Sequence, residues 1–486
     1  MSTTSTGLVS SNGTELIAGA SYTNGNGINV SETVSAIIAA DRAPETAWTT
    51  DETTITNQET ALTTLQGDIS TLQSAYQSLS DFTGIFNGLS ATSSDTSAIM
   101  ATVGSSATAG THTVVVSNLA TVGSSYSSEV TSGSISSGAL VIQIGNGAAQ
   151  TINIPADSSS SGTTTLANAA AYINEQGLGV KASVITDSGG SRLSLTSTSS
   201  GAAASVSVES APGGLSFTNI AGKDASLTVD GVPIDSATNT VTSAITGVSL
   251  SLTGTTSSSG VTVQVAADTS SITAAVSSFI TAYNAIITDL NSQFQYNGGV
   301  AAGSTSSSSD STSGVLESDP SARLIQQQLL NAISVTGSDS TSSSSSSTTA
   351  AVSQLSQLGI TMNDDGTLTL DSTTLQSELN SNYSGVKSFF ESTTSGSFSG
   401  NFNNLLTNLT DPTNSAITLD LSGLKANYTQ DQSNVSTLET HLTALKATLT
   451  TQYSTLNTTL QMYPTNLMEV ETELGYRTTT NSSSSS

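Results

Sequence analysis

The sequence predicts an α+β multidomain protein. Terminal α-helical coiled-coil or bundle legs enclose nested, discontinuous β-rich domains. Three observations carry this reading. Residues 421–463 keep one heptad register. Residues 48–86 keep a second. Between them the pattern changes to short alternating runs of β-branched residues bounded by Gly, Asn, Asp and Ser, the mark of strands and turns.

In the C-terminal run the a positions are Leu421, Tyr428, Val435, Leu442, Leu449, Leu456 and Tyr463. The d positions are Leu424, Asp431, Leu438, Leu445, Gln452 and Thr459. Apolar residues at this spacing keep one seam facing one partner, because only a 3.5-residue repeat does so. The run is expected to stop at Pro464, since proline disrupts a helix interior. In the N-terminal run the a positions are Trp48, Ile55, Leu62, Ile69 and Tyr76, and the d positions are Asp51, Gln58, Leu65, Leu72, Leu79 and Phe86. Two long seams at opposite ends of one chain predict that the ends meet as an antiparallel or bundled pair. The alternative is two separate amphipathic helices in independent bundles.

Taken in order, residues 1–30 are rich in Ser, Thr, Gly and Asn and read as a disordered extension. Ser31 reads as a cap before Val34, Ile37 and Ile38, and Pro44 ends that short helix or opens the next. Strands are expected over 113–116, 140–144, 151–154, 180–185, 192–196 and 206–208, with Gly145-Asn146-Gly147 as a hairpin turn. Residues 165–176 read as a helix with Leu166, Ala170 and Ile173 on one face. Strands 226–229, 248–252 and 261–265 follow and are expected to pair with 113–116. Helices return at 272–290, after Pro320, and around 375–379, 386–390 and 402–409. Residues 301–314 and 337–349 are Ser-rich linkers.

This gives a domain plan. Residues 31–47 with 424–476 form a terminal helical domain. Residues 48–100 with 269–423 form a helical leg carrying a small hairpin. Residues 101–125 with 222–268 form one β domain, and 126–221 an inner β domain with one helix. Residues 477–486 are a disordered tail.

Composition excludes several classes of function. Nine Lys and Arg stand against 36 Asp and Glu, a net charge of −27. Nucleic acid and anionic membrane surfaces attract clustered cations, so neither is expected as a partner. There is no cysteine, which removes disulfides, thiolate metal sites and a Cys nucleophile. No run of about 18 apolar residues is present, so no membrane span is expected. No basic and apolar leader opens the sequence.

The candidate chemistry is thin. His112 and His441 lie in opposite halves without ligand spacing around them. Asn363-Asp364-Asp365-Gly366 has a calcium-loop flavour, but Thr361 and Ser372 fall where such a loop needs acids. A hairpin joining 360–362 to 368–370 through Asp365-Gly366 is the better reading. Asn408 and Asn457 open Asn-x-Thr triplets, which chance supplies in such a composition. No nucleophile elbow, phosphate loop or dinucleotide fingerprint appears. No enzyme, cofactor or metal is expected.

Several blocks then resemble the bacterial flagellar filament cap family, flagellar hook-associated protein 2. They are residues 32–48 (ETVSAIIAADRAPETAW), Ala171-Tyr172-Ile173-Asn174 with Val180-Lys181-Ala182-Ser183-Val184-Ile185, Gly222-Lys223-Asp224-Ala225 with Val229-Asp230-Gly231-Val232 and 236–239, Phe279-Ile280-Thr281-Ala282-Tyr283-Asn284, and Leu358-Gly359-Ile360 with Asp365-Gly366-Thr367-Leu368. The inner unit, 140–208, is similar to the hook-region repeat of flagellins. The resemblance spans about 28–460, and residues 464–486 fit the family poorly.

The resemblance implies a structural assembly factor, outside the cell at the filament tip, exported by a type III route without a cleaved signal. It implies a small ring of copies of the chain, with flagellin, the hook–filament junction protein and a C-terminal export chaperone as further partners. The self-assembly seam is then Trp48, Ile55, Leu62, Leu65, Ile69, Leu72, Tyr76 and Leu79 against Leu424, Tyr428, Val435, Leu438, Leu442, Leu445, Leu449 and Leu456. A junction protein or flagellin-like subunit, and a surface adhesin acting through the β domains, are the alternatives.

Overall fold

The structure is a computed structural model that describes residues 28–159, 162–294, 314–334, 351–394 and 396–474. The expected extension and tail, and nearly all of both Ser-rich linkers, lie outside the described residues. In chain order the elements are α1 (Val30–Asp41) and α2 (Ala43–Ser80), then β1 (Leu89–Ser93), β2 (Ile99–Val103), β3 (Gly110–Asn118), β4 (Val122–Ser127), β5 (Ser134–Ser136), β6 (Gly138–Ile144), β7 (Gln150–Ile154) and β8 (Thr163–Thr165). Helix α3 (Leu166–Glu175) follows, with β9 (Val180–Thr186), β10 (Ser191–Ser200), β11 (Val206–Ser210), β12 (Phe217–Ile220), β13 (Ala225–Val229), β14 (Val232–Ser236), β15 (Thr240–Ile245), β16 (Val248–Leu252) and β17 (Val261–Ala267). The chain ends through α4 (Thr269–Gln293), α5 (Pro320–Ser334), β18 (Ile360–Met362), β19 (Leu368–Leu370), α6 (Ser372–Ser381), α7 (Tyr383–Glu391), α8 (Phe398–Leu409) and α9 (Ala416–Glu473). The architecture is the α+β multidomain one that the patterning predicts, with helices at both ends and β structure nested between.

The chain divides into two units, 1–80 with 275–486, and 81–274. In the second unit two apolar cores form. One lies between a five-stranded sheet, ordered β1-β17-β3-β13-β14, and a three-stranded sheet, β15-β16-β2. Ile99, Val114, Val116, Leu227, Leu250 and Val263 fill it because alternate residues of a strand face one side. β3 pairs with β13 and β17, as expected, whereas β16 pairs with β2 and β15. β1 and β2, expected in the helical leg, belong to this unit.

The other core is built by the sheets β12-β4-β10-β9 and β11-β6-β7 with α3. The β6–β7 turn needs glycine at 145, where φ is +53° and a Cβ would collide with the Ala203 carbonyl. The hairpin β13–β14 turns at Asp230-Gly231, both at positive φ (52° and 81°), the geometry of a two-residue hairpin loop.

Three asparagines share one device. Asn174 on α3 donates to the Ala182 carbonyl (2.9 Å) and accepts from the Ala182 N–H (2.7 Å). Asn239 does the same to Ala120 (3.0 and 2.7 Å), and Asn284 on α4 to Leu368 (2.8 and 2.6 Å). A primary amide presents one donor and one acceptor side by side, as a neighbouring strand would. Each therefore closes a stretch of backbone that lacks a strand partner.

Candidate functional site

The residues singled out for assembly lie on α2 and α9, so the site is built from those helices. Asn29 caps α1 by accepting from the Glu32 N–H (3.2 Å), and Ser415 caps α9 by accepting from Thr418 (3.2 Å). Each satisfies a donor that a helix start leaves bare. Pro44 falls in the first turn of α2, where its missing N–H costs nothing.

The two chain ends pair antiparallel. Ile28 N–H donates to Asn457 Oδ1 (2.8 Å), and Arg42 Nη1 lies 2.6 Å from Glu439 Oε1. Further along, Asp51, Thr54 and Ile55 face Asn427, Gln430 and Asp431 across an open groove of about 340 Å³. Both α1 and α2 pack along α9.

The seam is deeper on one side than on the other. Ile55, Leu62, Leu65, Ile69, Leu72, Tyr76 and Leu79 are buried, and Trp48 is half-buried. On α9 only Leu442 of the predicted set is buried. Leu424, Tyr428, Val435, Leu438, Leu445 and Leu449 are half-buried, and Leu456 is 45 % exposed. The asymmetry has a packing cause. The later part of α2 is also covered by α7 and α8, while a two-helix seam leaves both flanks of α9 open to water.

Two expectations need correction. α9 does not stop at Pro464; the proline sits inside a helix that runs to Glu473. Proline there removes one N–H and leaves the Leu460 carbonyl without its helical donor, a cost near 3 kcal/mol. The surrounding residues are exposed, so water can reach that carbonyl. At the other end, α2 stops at Ser80, so Phe86 is not on its seam. Asp81 accepts from the Thr83 N–H (2.8 Å) and hydroxyl (2.9 Å), turning the chain. Phe86 is buried in a short 3₁₀ turn instead. The expected domain boundary at 424 also falls inside α9.

The heptad pattern did not reveal an aromatic cluster at the lower end of α2. Tyr76 contacts Phe279, Phe398 and Phe402, with ring centroids 5.8, 6.3 and 4.9 Å away. Phe389 stacks on Phe398 at 4.8 Å. Burial pushes the Tyr76 hydroxyl well above its ordinary pKa. The signal was available in the sequence as the apolar faces of α4, α7 and α8; their convergence was not.

The other candidates resolve into structure. His112 Nδ1 lies 2.8 Å from Asp230 Oδ2, and Thr113 N–H donates to Asp230 Oδ1 (2.8 Å). The His112 contact, then the Thr113 N–H, lower the Asp230 pKa. This pair ties the β13–β14 turn to β3. His441 is exposed on α9. Asp365 accepts from the Thr367 N–H (2.9 Å) and hydroxyl (2.6 Å), so it builds the β18–β19 turn. Among the described residues no three His, Asp or Glu side chains are grouped to hold a metal. α4 is long and apolar enough for a membrane span by length and composition, contrary to the sequence expectation. Its Phe279, Tyr283, Ile286, Ile287 and Leu290 are buried.

A chain whose singled-out residues pack rather than react, with its two ends paired around nested β domains, is a structural subunit of the assembly class. More particularly, it belongs to the flagellar hook-associated protein 2 family. Residues 222–465, half of its length, match that family's C-terminal profile, and residues 26–122 match the N-terminal one. Residues 140–199 match the flagellin hook IN motif, whose Ile-Asn pair falls here on Ile173 and Asn174.

Among solved structures, the D1–D2–D3 domains of the flagellar cap protein FliD from Escherichia coli are 29 % identical. That match covers 75 % of this chain and 99 % of the other, with a TM-score of 0.47. FliD (HAP2) from Pseudomonas aeruginosa PAO1 is 27 % identical over 42 % of this chain and 99 % of the other, with a TM-score of 0.34. No curated protein matches the chain.

Proposed function

We propose that the chain caps the distal tip of the bacterial flagellar filament, where it promotes flagellin folding and polymerisation and prevents flagellin leakage. The role is structural. The observation that carries it is the family match at both ends of the chain, joined to the antiparallel pairing of those ends along α9. A cap needs legs that reach incoming subunits, and paired terminal helices supply them.

In this reading several copies form a small ring, with the β-rich unit as the plate. Flagellin is the substrate of assembly, and the hook–filament junction protein and a C-terminal export chaperone complete the partner set. The protein acts outside the cell after export without a cleaved signal. The seam residues of α2 and α9 hold each leg together, with Leu62, Leu65 and Leu442 at its tightest points.

The test is deletion of the gene, with immunogold labelling of the complemented strain. Label at filament tips, with short or absent filaments and flagellin in the medium of the deletion strain, is expected. Normal filaments without the protein, or label along their whole length, would overturn the proposal.

A further inference from the structure

Beyond the intramolecular seam, α9 carries a second apolar stripe. It runs Leu449, Tyr453, Leu456, Leu460, Tyr463 and Leu467, and continues to Val470 and Leu474. The spacings alternate four and three, a complete heptad pattern. It is out of phase with the seam before it. Leu445, Leu449 and Tyr453 are separated by two successive fours, and such a stutter rotates the apolar line around the helix. The residues before the stutter face α1 and α2. From Leu456 onward the stripe is 41–71 % exposed.

The intramolecular partner ends where the stripe becomes bare. Ile28, bonded to Asn457, precedes α1, and Leu474 lies 17 residues beyond that point, about 25 Å of helix. Residues 1–27 carry no heptad repeat that could fill it. The flanking e and g positions indicate the occupant. With 453, 460 and 467 as a positions, they are Thr450, Gln452, Asn457, Thr459, Pro464 and Asn466, all uncharged, with Glu471 and Glu473 only at the far end. A different helix would be selected by opposite charges at these positions. Neutral flanks, in a chain of net charge −27, admit an identical helix without like-charge repulsion. In a parallel pair each g residue meets the e residue five further along the other helix, so Glu471 meets Asn466 rather than another carboxylate.

We infer that residues 449–474 form a homotypic pairing surface, packing parallel and in register against the same stretch of a second copy of this chain. The parallel sense rests on the ring reading above, in which all legs point the same way.

The chain has no cysteine, so single substitutions give an unambiguous cross-link. Val470→Cys lies on the stripe far from its centre, where only a parallel pair brings two copies together. Thr465→Cys lies on the opposite face. Under mild oxidation of the purified full chain, Val470→Cys is expected to give a disulfide-linked dimer and Thr465→Cys at least tenfold less. Adding Leu467→Glu to Val470→Cys is expected to abolish the dimer while the circular dichroism spectrum is unchanged.

No Val470→Cys dimer, or equal dimer from both positions, would overturn the inference. So would an internal disulfide in Leu16→Cys/Val470→Cys, which would place the N-terminal segment on the stripe. Tip labelling without the cross-link sinks this inference alone and leaves the cap reading intact.

Discussion

The side-chain amide of Asn284 makes two hydrogen bonds to the backbone of Leu368, at 2.6 and 2.8 Å, tying α4 to the edge of β19. Both bonds are partly buried, so removing the amide leaves a backbone donor and acceptor poorly paired. Asn284→Ala is expected to cost about 2–4 kcal/mol, from two lost bonds and incomplete resolvation. Asn284→Asp keeps the acceptor but sets a carboxylate against the Leu368 carbonyl, so it is expected to fall at least as far. Urea denaturation of the full chain measures both; a change under about 0.5 kcal/mol would refute the clamp.

The depth of the seam sets the cost of truncating it. Leu65 is fully buried, and Leu65→Ala is expected to lose about 2–5 kcal/mol through transfer and cavity terms. Leu456 is 45 % exposed, and Leu456→Ala is expected to lose less than about 1 kcal/mol. Equal losses at the two positions would mean that α9 is covered along its whole length.

The groove lined by Asp51 and Asp431 is the weak layer of the pair. Asp431→Leu removes a carboxylate facing another and adds apolar area, so a gain of about 1–2 kcal/mol is expected. Gln452 is exposed, so Gln452→Leu adds little to stability. If the legs must loosen as flagellin adds, the double variant raises the melting temperature and slows filament growth. A raised melting temperature with unchanged growth separates stiffness from function and rejects that idea.

Asp68 on α2 supplies a pH dependence. Burial, then the Asp289 carboxylate on α4, raises its pKa above the ordinary 3.8. A carboxyl with a raised folded pKa holds its proton longer when folded than unfolded. Its contribution is therefore fully present below about 3.8 and is lost as pH rises through the folded value. Asp68→Asn is expected to stabilise the helical unit at pH 7 and to have little effect at pH 3. Thermal melts at both pH values check this, and a gain that is equal at both would exclude the carboxylate as the cause.

Several elements were legible from spacing alone. The two heptad runs located α2 and most of α9, because periodicity reports which face of a helix is apolar. Gly145-Asn146-Gly147, Asp230-Gly231 and Asp365-Gly366 marked their turns, because few residues adopt positive φ. Short or polar strands such as β4, β5 and β12 were missed. Their Ser and Thr residues have no apolar alternation, and backbone pairing to distant partners holds them in place. Pro464 was misread because a local rule was applied without knowing that its surroundings are open to solvent.

By itself, then, the sequence determined the periods, the turns and the order of the elements, all of which act over fewer than ten residues. It also carried the family's motifs, including the asparagines. The tertiary structure decided what lies far apart in sequence and close in space. It joined Arg42 to Glu439 and Asn284 to Leu368, gathered the rings around Tyr76, and left the stripe beyond Leu456 without a partner in its own chain. Periodicity records that a face is apolar but not what covers it, because the cover comes from another part of the chain or from another copy.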